Sequence, residues 1–434
     1  MKPKLPARAR LRENELDSSW ERHVLPSGLT VVMENVPTVS SLAIGVWIKT
    51  GTRDETDDLA GVAHFVEHLV FKGTQARTTY EIARSLESVG GELDAFTGRD
   101  ATAFYARVME EHLGLAVDVL ADLVTRPLLA PEEVEKEKKV VLEEIRSFDD
   151  NPEDLVFETF AADLWQGHPL GRPILGTEQS IAALQPERIR EWFGQHYTAE
   201  NMVVAVAGAF DSDELVGLLD RHFQLPRGAA PRRLDPLPPR RAGLFQTVKD
   251  LSQEQVVLGL PTVSYLDPRR FAVNVLATAL GGGMSSRLFQ AVRERESLAY
   301  SVFTFADFYR EAGVFCSSFG SAPGETQRAL DVIHAEYEKV RQVGLDPAEM
   351  DSACEQMKGG LLLGLESMSN RMSRLARSEM FLGRKVAVEE LVERIESVTP
   401  EDVQTLAAEL LDPERTLVAA LGPETQLAWN GSPS

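Results

Sequence analysis

Short runs of β-branched and aliphatic residues punctuate the chain, bounded by glycine, proline and asparagine. "GLTVVMENV", "SLAIGVWIKTG", "ATAFYARVM" and "MVVAVAGAF" in the first half, and "QEQVVLGLP" in the second, read as strands. Between them, "TTYEIARSLESVG" and "EHLGLAVDVLADLVTRP" place apolar residues at helical spacing and predict amphipathic helices. Strands and helices mix without strict alternation. This pattern predicts an α+β fold in which each unit is a mostly antiparallel sheet with helices packed on one face, rather than a doubly wound parallel sheet.

The segment 225–243, "LPRGAAPRRLDPLPPRRAG", is rich in proline and arginine and has no apolar period, so it reads as a semi-rigid linker. It divides the chain into an N-terminal domain, residues 1–224, and a C-terminal domain, residues 244–434. The halves carry a weak internal repeat. "LLAPEEVEKEKKVVLEEI" and "GLDPAEMDSACEQMKGGLLLGLES" each open a helix at a proline, Pro131 and Pro347. Upstream, "HFVEHLVFKGT" aligns with "NVLATALGGGM", so that Asn274, Ala277 and Thr278 stand where the first half has His64, Glu67 and His68. Two homologous domains are expected, one of which kept only the fold.

A length of 434 residues exceeds what a single hydrophobic core usually supports, which agrees with two domains. The net charge of −22 repels phosphate backbones and argues against a nucleic-acid partner. The longest uncharged apolar run, "NMVVAVAGAF", is too short to span a bilayer and reads as a buried strand, so no membrane insertion is expected. The N-terminal text lacks the apolar stretch of a secretory signal. With only Cys316 and Cys354 and no metal-type spacing between them, a reducing, cytoplasmic location is expected.

The chemistry concentrates in "GVAHFVEHLVFKGT". On a helix His64 and His68 lie one turn apart on the same face, so both imidazoles can share one metal ion, most naturally zinc, with Glu67 beside them. A catalytic zinc needs three protein ligands and an open position, so a third ligand must come from elsewhere in the chain, with carboxylates as the candidates. Glu67 is better kept as the general base. With eight histidines in the chain, the pattern should arise by chance about 0.01 to 0.02 times.

"AGVAHFVEHLVFKGT", "GGGMSSRLFQAVRERESLAYSV" and "LPSGLTVVMEN" together resemble the inverted-motif zinc peptidases of the pitrilysin type, and within them the processing-peptidase branch. The similarity runs from about residue 20 to near the C-terminus. The resemblance implies a zinc endopeptidase with one Zn2+ per chain, cutting unfolded or short peptides inside a clamshell chamber. It implies that the third ligand is Glu144, with Glu137 seven residues earlier supporting the site; Glu143 points about 100° away around the helix. Read without the resemblance, these acids are equally a solvated helix face.

The same resemblance makes Arg293 and Tyr300 of "RERESLAY" substrate and oxyanion contacts reaching the zinc site from the other half. It makes Asp94, Ala95 and Phe96 part of a sheet edge on which a peptide adds as a strand, with Asp94 standing where relatives commonly have asparagine. It makes Asp154 and Glu158 an acidic pair able to grip an arginine near the cut. Because one chain carries both the zinc motif and the arginine and tyrosine, a homodimer is expected over pairing with an inactive homologue. The alternatives are a non-catalytic scaffold subunit sharing the fold and a metal-dependent phosphoesterase, for which the sequence offers no second metal cluster.

Overall fold

The computed structural model describes residues 18–231 and 235–429; residues 1–17, 232–234 and 430–434, which fall in the expected domains and linker, lie outside the described residues. The strands form two sheets. The first comprises β1 (Ser19–Val24), β2 (Thr30–Asn35), β3 (Ser41–Ile48), β4 (Glu92–Thr97), β5 (Thr102–Met109) and β6 (Met202–Gly208), in the order β1-β2-β6-β3-β5-β4. The second comprises β7 (Gly243–Val248), β8 (Glu254–Thr262), β9 (Ala299–Phe308), β10 (Gly313–Ser321) and β11 (Leu417–Gly422), in the order β7-β11-β8-β10-β9. These sheets add β1, β7, β10 and β11 to the strands read from the sequence. Neighbours are antiparallel except β2 with β6 and β7 with β11. Without β1, the two sheets have the same strand order and the same single parallel pair, so the sequence repeat is also a repeat of topology.

The helices repeat too. Between β3 and β4 lie α1 (Val62–Val70) and α2 (Thr79–Glu87), and between β5 and β6 lie α3 (Leu113–Thr125), α4 (Pro131–Asp149), α5 (Pro152–Leu164), α6 (Glu178–Ala183) and α7 (Pro186–His196), with α8 (Ser212–His222) following β6. In the second half α9 (Arg270–Gly281) precedes β9. Between β10 and β11 lie α10 (Thr326–Val343), α11 (Pro347–Gly364), α12 (Met368–Leu382), α13 (Val388–Glu396) and α14 (Pro400–Leu410). Helices α4 and α11 both begin with proline in the first turn, where its missing N–H costs nothing.

Each sheet packs one face on its own helices. In the first, Val31, Ile44 and Phe104 meet Phe65, Val66 and Leu69 of α1 and Leu120 of α3; in the second, Val256 and Phe315 meet Leu276 of α9 and Leu406 of α14. The opposite faces are covered by an exchange that the sequence reading did not anticipate. Met372, Leu375 and Ala376 of α12 lie on Val32, Ala43, Trp47 and Ala205 of the first sheet, while Val156, Phe160 and Leu164 of α5 lie on Val257, Val314 and Ala419 of the second. Burial on both faces explains why β6 is a continuous apolar run and not an alternating one. Helix α12 is also held by charge: the buried Glu34 of β2 pairs with Arg371 at 2.6 Å and Arg374 at 3.1 Å, and Arg22 pairs with Glu379 at 2.9 Å.

Candidate metal centre and its surroundings

Helix α1 is started by two devices. Gly61 sits at its N-cap with φ of 88°, and a Cβ there would stand 2.7 Å from the Leu175 carbonyl, so glycine is required twice over. The buried Glu55 carboxylate then accepts the N–H groups of Gly61 and Ala63, each at 2.8 Å, closing the first turn. With Phe65, Val66 and Leu69 facing the core, His64 is buried and Glu67 and His68 are half-buried at the surface of the domain.

The two imidazoles lie with ring centroids 4.5 Å apart, and Nε2 of each faces Glu144 on α4: 3.7 Å from His64 and 3.5 Å from His68. The three ligand atoms lie within 4.8 Å of one another. Ligands at zinc–nitrogen and zinc–oxygen bond lengths stand about 3.3 Å apart in a tetrahedron, so these donors need only a small inward movement to hold the ion. Glu144 Oε2 is buried without a hydrogen-bond partner, as a carboxylate oxygen set aside for a cation would be. Two imidazole nitrogens and one carboxylate match the three protein donors of a catalytic zinc. Glu143, by contrast, is exposed and bonded to Arg146 at 3.4 Å.

Glu137 lies one layer out. Its Oε1 is 2.8 Å from His68 Nδ1 and its Oε2 is 2.9 Å from Lys72 Nζ. A carboxylate at Nδ1 keeps the proton there and turns the Nε2 lone pair toward the metal position. Burial pushes the Glu137 carboxyl up, but the bonds to His68 and Lys72 outweigh it and hold it below its ordinary value. Burial likewise opposes charge on His68, yet the Glu137 bond and the Glu144 charge outweigh it and raise its pKa. Burial, and then the charge on His68, hold His64 down to about 3, which leaves its imidazole neutral.

Glu67 accepts a hydrogen bond from the Thr97 hydroxyl at 2.6 Å, and burial raises its pKa although that bond opposes the rise. A raised carboxyl suits a group that must take and return a proton.

Asp94, Ala95 and Phe96 lie on β4, the edge of the first sheet, with Asp94 and Phe96 exposed and Ala95 half-buried. Asp94 accepts from the Tyr105 hydroxyl at 2.9 Å and from the N–H of Ala95 at 2.8 Å. Asp154 and Glu158 lie on α5 without touching each other: Asn151 donates to Asp154 at 2.6 Å, and Arg99 donates to Glu158 at 3.2 Å. Arg293, in a π-helical turn, has its guanidinium 4.7 Å from the ring centroid of Tyr300, which is 79% exposed on β9. Among the described residues no hydrogen bond, ion pair or ring contact joins Arg293 or Tyr300 to the imidazole–carboxylate cluster.

Sequence reasoning missed Thr97, Lys72 and Arg99. Only Thr97 had a usable signal, since the alternation along β4 puts Leu93, Ala95 and Thr97 on the side facing the helices.

Residues 30–178 match the family described as Insulinase (Peptidase family M16), and residues 183–357 match the Peptidase M16 inactive domain. An uncharacterized zinc protease of Mycobacterium leprae is 42% identical over 407 residues, covering 93% of this chain and 91% of that protein. An uncharacterized zinc protease of Bacillus subtilis is 35% identical over 397 residues, covering 92% and 97%. A crystallised protease from Helicobacter pylori superposes with a TM-score of 0.88 at 23% identity, over 94% of this chain and 100% of that one. Residues 183–357, matched to the inactive domain, carry Asn274, Ala277 and Thr278 where the first half carries His64, Glu67 and His68. With both halves matched in order and relatives of this identity along nearly the whole chain, the protein belongs to peptidase family M16.

Proposed function

We propose that the chain is a zinc endopeptidase of the processing-peptidase type, acting on unfolded or short peptides. The observation that carries this reading is the convergence of His64, His68 and Glu144 with Glu67 alongside. Zinc held there would supply Lewis acidity toward a carbonyl and a lowered pKa for water. His64 and His68 present Nε2, Glu144 presents its carboxylate, and Glu137 fixes the His68 tautomer. Glu67 takes the proton from the attacking water and returns it to the leaving amine. The peptide lies along β4 as an added strand, taking the Ala95 N–H from Asp94, while Arg293 and Tyr300 hold its carbonyl.

Glu67→Gln keeps the shape of the side chain and removes the base. The expected result is one zinc per chain by metal analysis with peptide cleavage reduced by at least about 100-fold; undiminished cleavage would refute the assignment. Retention of the whole donor set favours this reading over a scaffold subunit.

The same proposal divides the chain at 1–224, 225–243 and 244–434, on the strength of the matching sheet orders. It includes a homodimer, because one chain carries both the zinc motif and the pair Arg293 and Tyr300. A cytoplasmic site of action fits two unpaired cysteines. A basic-residue subsite at Asp154 and Glu158 requires a substrate guanidinium to displace Arg99 from Glu158. Matched peptides with arginine or alanine near the cut test this: faster turnover of arginine supports it, and equal rates remove it.

A further inference from the structure

Resting on that reading, we propose that Thr97 is a positioning residue for Glu67, coupling the base to the strand on which the peptide lies. A glutamate rotates about several bonds, and confining it costs side-chain entropy. Among the described residues, the Thr97 hydroxyl supplies the hydrogen bond that Glu67 accepts, at 2.6 Å on Oε2. A hydroxyl has one proton to donate. With that proton committed to Oε2, one end of the carboxylate is anchored, and Oε1 is the oxygen left to receive the proton of the attacking water.

Thr97 is itself held firmly. It ends β4, paired with Thr102, and the following turn closes through Gly98 N–H to Ala101 O at 2.8 Å. The tip of this hairpin is fixed by its neighbours. Thr52 N–H donates to Gly98 O at 3.1 Å and Arg53 N–H to Arg99 O at 3.2 Å, an approach so close that a Cβ on Gly51 would stand 2.3 Å from Gly98 O. The buried Arg53 guanidinium binds Asp100 at 2.7 Å and also Glu311, which lies in the second half between β9 and β10. Arg99 donates to Leu170 O at 2.8 Å and to Glu158 at 3.2 Å. The hairpin tip that follows Thr97 is therefore tied to both halves of the molecule, and Thr97 lies one residue beyond Phe96 on the same edge strand. A peptide pairing with β4 bears on Thr97 through the backbone, so substrate engagement and base geometry are linked.

Two substitutions separate hydroxyl from shape. Thr97→Val keeps the β-branched form and removes the donor, whereas Thr97→Ser keeps the donor and removes a methyl. With a quenched fluorescent peptide, Thr97→Val is expected to lower kcat about 10- to 100-fold with little change in KM and with zinc content and melting temperature retained; Thr97→Ser is expected to restore most of kcat. Should Thr97→Val fail to fold, Thr97→Ala against Thr97→Ser makes the same comparison. A wild-type kcat in the valine variant, or a serine variant as impaired as it, overturns the proposal. Glu67→Gln run in parallel keeps the two readings apart. An inactive wild-type enzyme, or a fully active Glu67→Gln, sinks the peptidase reading and Thr97 with it; an active wild type with silent Thr97→Val sinks Thr97 alone.

Discussion

The side chains at and around the candidate metal centre differ in how directly their positions follow from sequence. His64 and His68 share a face because any α-helix puts residues four apart one above the other, and the structure adds only the 4.5 Å ring separation. Glu137 needs the packing of α4 against α1 before it can reach His68 Nδ1 at 2.8 Å and Lys72 at 2.9 Å. Glu137→Gln retains the size of the side chain but loses the charge-assisted bond that orients His68. The expected outcome is a 10- to 100-fold loss, on the order of that seen for such partners, in zinc affinity measured by competition with a chelator. Unchanged affinity would mean that His68 is oriented without it.

At the scale of elements, the exchanged helices are the main departure from what the apolar pattern suggests. Helix α12 brings Arg371 into a buried position against Glu34, at 2.6 Å. The attraction offsets the desolvation of both ions only while they remain paired. Glu34→Ala leaves Arg371 and Arg374 without their carboxylate, so unfolding free energy from urea titration should fall by about 3 to 5 kcal/mol. A loss below about 1 kcal/mol would place the pair among solvent-screened contacts. The paired Glu34→Met, Arg371→Met variant should be less damaged than Glu34→Ala, because it leaves one fewer unpaired buried charge.

At the scale of the whole molecule, two near-identical sheet orders carry unequal chemistry. The first half holds the cluster, and the second holds Arg293 in its π-helical turn and Tyr300 on β9 of the other sheet. If a homodimer completes each site from its partner, a mixture of Glu67→Gln and Arg293→Ala chains regains activity that neither has alone, since one pairing in the mixed dimer has every group intact. Peptide turnover of the re-associated mixture measures this. No recovery, with mixed dimers shown by mass, would place both functions within one chain.

Local pattern by itself determined a good deal: about half of the strands, the paired histidines with their glutamate, the proline-opened helices and the duplication. These depend on periods of two and 3.6 residues and on backbone preferences that need no distant partner. The choice of Glu144 over a solvated face came from family resemblance, and the approach of Glu144 to 3.5 and 3.7 Å came from packing. Tertiary structure alone decided the exchange of α5 and α12, the clasp of Arg99 on Glu158 and the bond from Thr97 to Glu67. Each joins side chains far apart in the chain, and no short-range period records which distant residue will arrive opposite another.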